Sequence, residues 1–268
     1  MKDLINGKVF LIGAGPGDPE LLTLRALKLL QSADVVVFDR LVSAEIMALI
    51  PSKTRRISVG KAASNHSVPQ EKINQLLVEL AQEGLTVARL KGGDPLIFGR
   101  GGEEAECLRQ AGIEVGFVPG ITAAQGAACS AGLPLTQRGY ATGVRYVTGH
   151  RAADQPLDLD WSSLADEQTT LVVYMGAANI AVIARQLIAH GMPSDLPVMA
   201  IAAATTPRER RITSTLAGIA IATALKAVES PVLFVIGHVV SIYDDLPVGI
   251  APTGLVQEIM RSIEVVHV

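Results

Sequence analysis

Residues 91–104 read Lys-Gly-Gly-Asp-Pro-Leu-Ile-Phe-Gly-Arg-Gly-Gly-Glu-Glu, and this segment follows directly on an apolar run at 86–90. Gly92 and Gly93 allow the main chain to turn with positive φ and to approach a ligand closely, and Pro95 stiffens the exit from the turn. The segment ends with an arginine and two acids. This pattern predicts a ligand-binding loop at the end of a strand.

The first half of the chain alternates short apolar runs with segments of helical periodicity. The predicted strands lie at 9–12, 35–38, 86–90 and 115–118. Between them, Pro69 to Glu83 repeats its leucines with helical spacing before Gly84, and Asp18 followed by Pro19 is typical of a helix N-terminus. Strand, crossover helix and parallel strand in succession predict an α/β domain with a mainly parallel sheet.

A second α/β domain is predicted after the turn-rich segment at 132–139. We place the boundary near Gly139, which gives domains at 1–139 and 140–250 and a tail at 251–268. The predicted strands lie at 144–147, 170–174, 198–201, 211–214 and 232–236, with helices near 180–190 and 216–228. The turn Thr205–Arg208 is too short for a crossover, so its flanking strands should be antiparallel and the second sheet mixed.

The composition narrows the class of protein. A net charge of -3 over 268 residues argues against a general nucleic-acid binder. The first residues lack the features of a signal peptide and no apolar run is long enough to cross a bilayer, so we expect a cytoplasmic protein without a membrane partner. The five histidines show no metal-binding spacing, and we expect no metal. Cys107 and Cys129 are expected to be small core residues.

A second glycine turn, Gly13-Ala-Gly-Pro-Gly-Asp18, follows the first predicted strand. The dinucleotide-binding fingerprint requires a third glycine where this chain has Asp18, which argues against a nicotinamide enzyme. Neither glycine turn contains the Lys-Ser or Lys-Thr pair of nucleoside triphosphatases. Two turns that follow parallel strands of one sheet should meet at its carboxyl edge. The expected ligand is therefore a nucleoside without a polyphosphate.

Basic residues recur at the ends of the predicted strands and in the connections of this acidic chain: Arg40, Lys61, Lys91, Arg100 and Arg138. Arginine can grip a carboxylate with two hydrogen bonds, so this distribution favours a pocket for a substrate that carries carboxylates. Lys91 is equally compatible with a plain surface position. The neighbours Asp39 and Arg40 form either a simple salt bridge or a proton acceptor that the arginine keeps ionised.

Together these motifs resemble the tetrapyrrole methyltransferase family. The shared segments run in order from 9 to 240: 13–19, 38–43, 59–61, 90–104, 119–124, 132–136, 174–176 and 236–240. The resemblance implies two α/β domains with S-adenosyl-L-methionine bound in the cleft between them. It also implies a homodimer that methylates uroporphyrinogen III at C-2 and C-7, giving precorrin-2 and S-adenosyl-L-homocysteine. Precorrin-2 is common to sirohaem, cobalamin and haem d1 synthesis, so each pathway is compatible with this activity.

The resemblance also implies roles for individual residues. Its cofactor contacts correspond to Pro16, Gly92, Gly93, Asp94, Ile97, Thr122, Ala123, Met175 and Ala204. Its substrate contacts correspond to Arg40, Arg100, Glu103 and Arg138. Asp39 would accept a proton and Lys61 would donate one. An arginine is a poor base because its pKa exceeds about 12, which favours Asp39 as the acceptor.

One segment departs from the family pattern. Similar members tend to have Glu-Asn-Gly-Thr where this chain has Ala202-Ala-Ala-Thr205, so Ala204 adds a methyl group where a glycine approaches the cofactor. Three alternative functions stay open at this point: a sister methyltransferase acting on a later precorrin, a nicotinamide oxidoreductase, and a small-molecule sensor that binds without catalysis.

Overall fold

The computed structural model describes residues 7–60, 68–150 and 157–242. These residues form two compact units, of which the first extends to Thr122 and the second begins at Ala123. This division lies before the boundary near Gly139 that the turn residues indicate. The physical reason is that the helix at 123–131 packs its alanines against the second sheet. The predicted tail at 251–268 lies outside the described residues.

The first unit alternates strands and helices along its whole length. Its elements are β1 (Lys8–Gly13), α1 (Leu24–Ser32), β2 (Val35–Phe38), α2 (Ala44–Ala48), β3 (Arg55–Ser58), α3 (Gln70–Gln82), β4 (Thr86–Lys91), α4 (Gly101–Gln110) and β5 (Glu114–Val118). The strands form one sheet in the order β3-β2-β4-β1-β5, with every neighbouring pair parallel. The prediction of a parallel N-terminal sheet is confirmed.

Apolar side chains cover both faces of this sheet, which explains why its strands read as continuous apolar runs. On one face, valines of β1, β2 and β4 pack with Leu77 of α3 and Leu108 of α4. On the other face, Val36 and Leu90 pack with Leu30 of α1 and Ile46 of α2. Full burial of each leucine contributes about 1.5–3 kcal/mol relative to exposure. The two layers hold the carboxyl ends of β1 and β4 in fixed register.

The structure corrects two predictions about local structure in this unit. Asp18 caps a 3-10 turn at Pro19–Leu21 and not an α-helix, and its side chain accepts a hydrogen bond from the Glu20 amide. The helix α1 begins later, with Thr23 as its N-cap. Strand β3 was not among the predicted strands. It lies at the sheet edge and is mostly exposed, so its sequence lacks the apolar run that marks the buried strands.

The second unit contains the mixed sheet. Its elements are α5 (Ala123–Ala131), β6 (Gly143–Thr148), α6 (Trp161–Leu164), β7 (Thr169–Tyr174), α7 (Ile180–Ala189), β8 (Pro197–Ala202), β9 (Arg210–Thr215), α8 (Ile219–Leu225) and β10 (Val232–Ile236). The sheet order is β6-β7-β10-β8-β9. Strands β6 and β7 are parallel, whereas β10 is antiparallel to both its neighbours and β8 is antiparallel to β9. The prediction of an antiparallel pair around residues 205–208 is confirmed.

Helices cover both faces of the second sheet. Side chains of α7 and α8 pack on one face around Phe234, and α5 packs on the other face around Val235. Cys107 is partly buried, but Cys129 on α5 is exposed, so the expectation of a core position was wrong for Cys129. Within the described ranges, no helix combines the length and the apolar character needed to cross a membrane.

Candidate active site

The two glycine turns meet at the carboxyl edge of the first sheet. Strands β1 and β4 are neighbours, with Gly13 opposite Lys91. Beyond the strands, the Gly15 amide donates to the Gly93 carbonyl at 3.1 Å, and the Gly93 amide donates to the Gly15 carbonyl at 2.7 Å. Both residues have positive φ, at 75° and 68°. The prediction that the two turns converge is confirmed.

A third glycine completes the contact between these turns. A Cβ atom on Gly13 would lie 2.4 Å from the Gly120 amide nitrogen and 2.6 Å from the Gly93 carbonyl oxygen. A Cβ atom on Gly120 would lie 2.2 Å from that same Gly93 oxygen. Side chains at 13 and 120 would therefore push three backbone segments apart. Sequence reasoning missed Gly120, although the Pro119-Gly120 pair after β5 is a turn signal of the same kind.

Asp94 joins the second turn to the connection that follows β5. Its Oδ1 accepts a hydrogen bond from the Leu96 amide at 2.8 Å, and its Oδ2 accepts one from the Gly120 amide at 3.0 Å. Both carboxylate oxygens are thus engaged by the backbone. The expected cofactor contact at this position stays a prediction, and the geometry gives the Asp94 side chain a structural task within the loop.

Asp39 does not use Arg40 as its ionic partner. Its Oδ1 lies 2.7 Å from Nη2 of Arg89, and its Oδ2 lies 3.8 Å from Nζ of Lys91. The Asp39 side chain is 30% exposed, whereas Arg89 is 1% exposed. The reading of Asp39 and Arg40 as a simple salt bridge is therefore wrong. Strands β2 and β4 are neighbours in the sheet, and this pairing brings Asp39 to Arg89.

A buried carboxylate balances the two cations of β4. Oε1 of Glu104, on the first turn of α4, lies 2.8 Å from Nζ of Lys91 and 3.0 Å from Nη2 of Arg89. Gln70 on α3 donates to the same oxygen at 3.2 Å. Burial lowers the pKa of the Lys91 ammonium, and the charge of Arg89 lowers it further, whereas Glu104 and Asp39 act in the opposite sense. The alternative of a surface position for Lys91 is wrong.

Sequence reasoning missed Arg89 and gave Glu104 no role. The signal was present, because residues 89 and 91 project from the same face of a strand and lie in an otherwise apolar run. Charges in such a strand require counter-charges nearby. We call Asp39, Arg89, Lys91 and Glu104 the charge cluster.

The predicted substrate contacts of the first unit are on its surface. Arg40, Arg100 and Glu103 are exposed. Arg100 has a left-handed backbone with φ of 58° and donates to both carboxylate oxygens of Glu103, at 2.9 and 2.7 Å. This pairing lowers the pKa of the Glu103 carboxyl and raises that of the Arg100 guanidinium. Lys61, the predicted proton donor, lies outside the described residues.

The predicted contacts in the second unit lie mostly at one edge of its sheet. Strand β10 is antiparallel to both β7 and β8, so β7 and β8 run in the same direction and end at the same edge. Met175 follows β7, with φ of 54° and 49% exposure, and Ala204 follows β8. Ala123 begins α5, where the next amide, that of Ala124, donates to the Tyr174 hydroxyl at 3.0 Å. Arg138 is exposed on the turn between Gln137 and Ala141.

The residues at the carboxyl edge of the first sheet fit a nucleoside that carries a sulfonium. Leu96, Ile97 and Phe98 follow the second turn and are 57%, 37% and 40% exposed, so they offer an apolar surface beside the loop. Pro16 is partly buried between Gly15 and Gly17, and Gly17 has φ of 146°. Thr122 is buried. In the part of the chain that the structure describes, no three His, Cys, Asp or Glu side chains form a group that could hold a metal ion.

Comparison with known proteins supports this interpretation. Residues 8–220 match the model of the family described as Tetrapyrrole (Corrin/Porphyrin) Methylases. The chain is 69% identical over 239 residues to uroporphyrinogen-III C-methyltransferase from Paracoccus denitrificans. The alignment covers 89% of this chain and 83% of the relative. It is 54% identical to siroheme synthase from Acinetobacter baylyi over 90% of this chain. It spans 52% of that longer protein.

Solved structures give the same result. Uroporphyrin-III C-methyl transferase from Thermus thermophilus, complexed with S-adenyl homocysteine, is 41% identical with a TM-score of 0.75, and the match covers 88% of this chain and all of that chain. A cobalt precorrin-4 methyltransferase is 28% identical with a TM-score of 0.77, and the match covers 87% of this chain and 95% of that chain. With the family model matching most of its length, this chain belongs to the tetrapyrrole (corrin/porphyrin) methylases.

Proposed function

We propose that this protein transfers methyl groups from S-adenosyl-L-methionine to C-2 and C-7 of uroporphyrinogen III, giving precorrin-2 and S-adenosyl-L-homocysteine. The observation on which this rests is the 69% identity to the Paracoccus denitrificans enzyme. The meeting of the two glycine turns at one sheet edge gives that similarity a physical basis.

The cofactor supplies an electrophilic methyl group on a sulfonium centre. In the first unit, we assign its binding to the two glycine turns and the apolar side chains beside them: Pro16, Gly92, Gly93, Asp94, Ile97 and Thr122. Gly92 has no side chain to obstruct a ligand, and a Cβ atom there would lie only 2.8 Å from Cβ of Leu41. In the second unit, Ala123, Met175 and Ala204 are the proposed contacts. Positioning of this kind lowers the barrier by several kcal/mol in general.

The tetrapyrrole carries carboxylates, and we assign their recognition to exposed arginines. Arg40 and Arg100 lie in the first unit and Arg138 in the second. Arg100 is held by Glu103, so a substrate carboxylate would compete with the Glu103 carboxylate for the same guanidinium. Because of this competition, only a substrate whose carboxylate binds Arg100 more strongly than Glu103 does would displace Glu103. Glu103 would in this way contribute to substrate specificity.

Asp39 is the proposed proton acceptor. Once the pyrrole carbon is methylated, a proton must leave the neighbouring meso carbon. Oδ1 of Asp39 is occupied by Arg89 at 2.7 Å, so Oδ2 is the oxygen that would take this proton. The 30% exposure of the side chain leaves it accessible to a bound substrate. Lys61 is the proposed proton donor, as the family resemblance implies.

A second candidate is methylation of a later precorrin. The TM-score of 0.77 to a cobalt precorrin-4 methyltransferase favours it, because such an enzyme would share the cofactor turns. The lower identity of 28% makes it the weaker of the two. We also propose a cytoplasmic homodimer, which light scattering on the purified protein would test.

The decisive experiment is a methylation assay. Purified protein is given uroporphyrinogen III and S-adenosyl-L-methionine, and the precorrin-2 spectrum and S-adenosyl-L-homocysteine release are recorded. Two methyl groups per tetrapyrrole are expected. Cofactor binding without transfer would instead indicate a sensor or a different substrate, and transfer only to a later precorrin would establish the second candidate.

A variant assigns the proton acceptor in the same assay. Asp39→Asn should retain cofactor affinity and lose turnover by at least about a hundredfold, within the usual contribution of general base catalysis. Asp34→Asn is the matched control, because the Asp34 side chain accepts a hydrogen bond from the Thr86 amide at the opposite edge of the sheet. Turnover of Asp39→Asn at the native rate would rule out this assignment.

A further inference from the structure

The charge cluster connects the surface carboxylate of Asp39 to the interior of the first unit. Arg89 and Lys91 lie two positions apart on β4 and are 1% and 5% exposed. Each contacts Asp39 on one side and Glu104 on the other. Two cations therefore stand between a partly exposed acid and a fully buried one.

We propose that Arg89 and Lys91 are positioning residues for Asp39, and that the buried Glu104 carboxylate sets how strongly their charges act on it. This inference rests on the proposed function for its relevance to catalysis, since it concerns the same proton acceptor. The geometry on which it depends lies entirely within the first unit.

The geometry separates the tasks of the two cations. Nη2 of Arg89 bridges Oδ1 of Asp39 and Oε1 of Glu104, so it fixes the orientation of the Asp39 carboxylate. Lys91 lies 3.8 Å from Oδ2 but 2.8 Å from Glu104, so it contributes charge near Oδ2 without capturing that oxygen in a short hydrogen bond. Oδ2 thus remains able to accept a proton.

The Glu104 carboxylate compensates part of the positive charge of Arg89 and Lys91. Its Oε1 accepts hydrogen bonds from Gln70, Arg89 and Lys91, whereas its Oε2 has no hydrogen-bond partner among the residues that the structure describes. Its side chain is fully buried, where a lone charge would be costly. Without its negative charge, and in the acid range where Lys91 stays protonated, both cations would act on Asp39 alone and would oppose protonation of Oδ2 more strongly.

The hydrogen bonds of Glu104 suggest a variant that changes the charge of this side chain and not its shape. In Glu104→Gln, the amide oxygen can keep the three hydrogen bonds of Oε1, and the amide nitrogen can occupy the position of Oε2. The substitution then removes charge while it preserves shape. Lys91→Met removes a positive charge at similar length, and Lys91→Arg retains that charge.

The test is a titration of the Asp39 side-chain carboxyl by carbon-13 NMR in protein without cofactor or substrate, with the resonance assigned by Asp39→Asn. Among the described residues, the charged groups in ionic contact with Asp39 are Arg89 and Lys91 on β4, and Glu104 on α4 contacts both of these cations. We expect the titration midpoint to rise in Lys91→Met, because a cation 3.8 Å from Oδ2 is lost. It should fall in Glu104→Gln and stay close to the native value in Lys91→Arg.

Enzyme assays provide the second measurement. The acid limb of the pH profile of kcat should move with the NMR midpoint, upward in Lys91→Met and downward in Glu104→Gln. If the charge cluster has only a structural role, the two variants would have lower activity or stability, but the acid limb of their pH profiles would not move in opposite directions. Unchanged midpoints in folded Lys91→Met and Glu104→Gln would overturn the inference. If Lys91→Met does not fold, the direction of the shift in Glu104→Gln decides alone.

The two proposals fail in distinguishable ways. Opposite NMR shifts without methyl transfer to uroporphyrinogen III would support the charge cluster and reject the proposed function. Methyl transfer with unshifted midpoints would support the function and reject the role of the cluster.

Discussion

Oδ2 of Asp94 accepts a hydrogen bond of 3.0 Å from the amide of Gly120, 26 positions further along the chain. The bond connects the loop after β4 to the segment after β5. These strands flank β1 on either side, so the contact spans the end of β1 and encloses the first glycine turn. The three connections at the carboxyl edge are therefore held as one structure.

Asp94→Asn should weaken this structure. An amide group offers only one acceptor oxygen, so either Leu96 or Gly120 loses its partner, at a cost of about 1–3 kcal/mol in the free energy of unfolding. Because the loop forms the proposed cofactor site, S-adenosyl-L-methionine should bind about tenfold more weakly. Calorimetric titration and urea unfolding measure the two effects.

Asp34→Asn is the matched control for this change. Oδ2 of Asp34 accepts a hydrogen bond of 2.8 Å from the Thr86 amide at the start of β4, which is the opposite edge of the same sheet. The amide oxygen of the substituted side chain can keep this single hydrogen bond, so the variant should lose little stability and keep native cofactor affinity. Equal affinities in Asp34→Asn and Asp94→Asn would contradict the proposed role of the Asp94 loop.

Gly13→Ala should disturb the meeting of the three turns. The added Cβ atom would lie 2.4 Å from the Gly120 nitrogen, and backbone atoms cannot rotate away as a flexible side chain can. We expect a loss of about 1–3 kcal/mol in the free energy of unfolding, the usual cost of overpacking. Gly102→Ala is the control, since its Cβ atom would meet nothing within 4 Å. Its helical position should make it neutral or stabilising by up to about 1 kcal/mol.

Arg100→Ala should weaken tetrapyrrole binding and leave cofactor affinity nearly unchanged. The loss of one charge-assisted contact at an exposed site should raise KM for uroporphyrinogen III by about tenfold. Arg109→Ala, at the other end of α4, is the matched control and should leave KM unchanged, because Arg109 stacks over the Phe117 ring. A loss of cofactor affinity in Arg100→Ala would show that Arg100 belongs to the cofactor site.

Ala203→Gly should stabilise the second unit. Ala203 has φ of 45°, a left-handed conformation that costs a residue with a Cβ atom about 1–2 kcal/mol and costs glycine little. Glycine also loses more backbone entropy than alanine on folding, which offsets part of this gain. The net increase in the free energy of unfolding should be about 0.5–1 kcal/mol. Ala204 does not have positive φ, so Ala204→Gly should lose stability. Thermal unfolding of both variants checks the expected opposite signs.

This last pair refines what the family pattern predicts for the segment 202–205. The departure from the pattern draws attention to Ala204, where the usual residue is glycine. The backbone strain is found at Ala203 and Thr205, with φ of 45° and 65°. Strain depends on φ at each residue, and the residue type alone does not reveal it.

The linear order of residues was sufficient to predict both sheets, the convergence of the glycine turns and the family. The sheets and the convergence depend on local periodicity and on the rule that parallel strands end at a common edge, and neither requires knowledge of particular neighbours. The family was indicated by the resemblance of the motifs. Edge strand β3 escaped prediction because an exposed strand has no apolar run to mark it.

The partners of the charged groups depended on the tertiary structure. Asp39 pairs with Arg89, which is 50 positions away, and not with its neighbour Arg40. Sheet order placed β2 beside β4, and packing of α4 brought Glu104 to the same two cations. An ionic contact requires proximity within a few ångströms, and only the folded arrangement of strands determines which distant charges come that close.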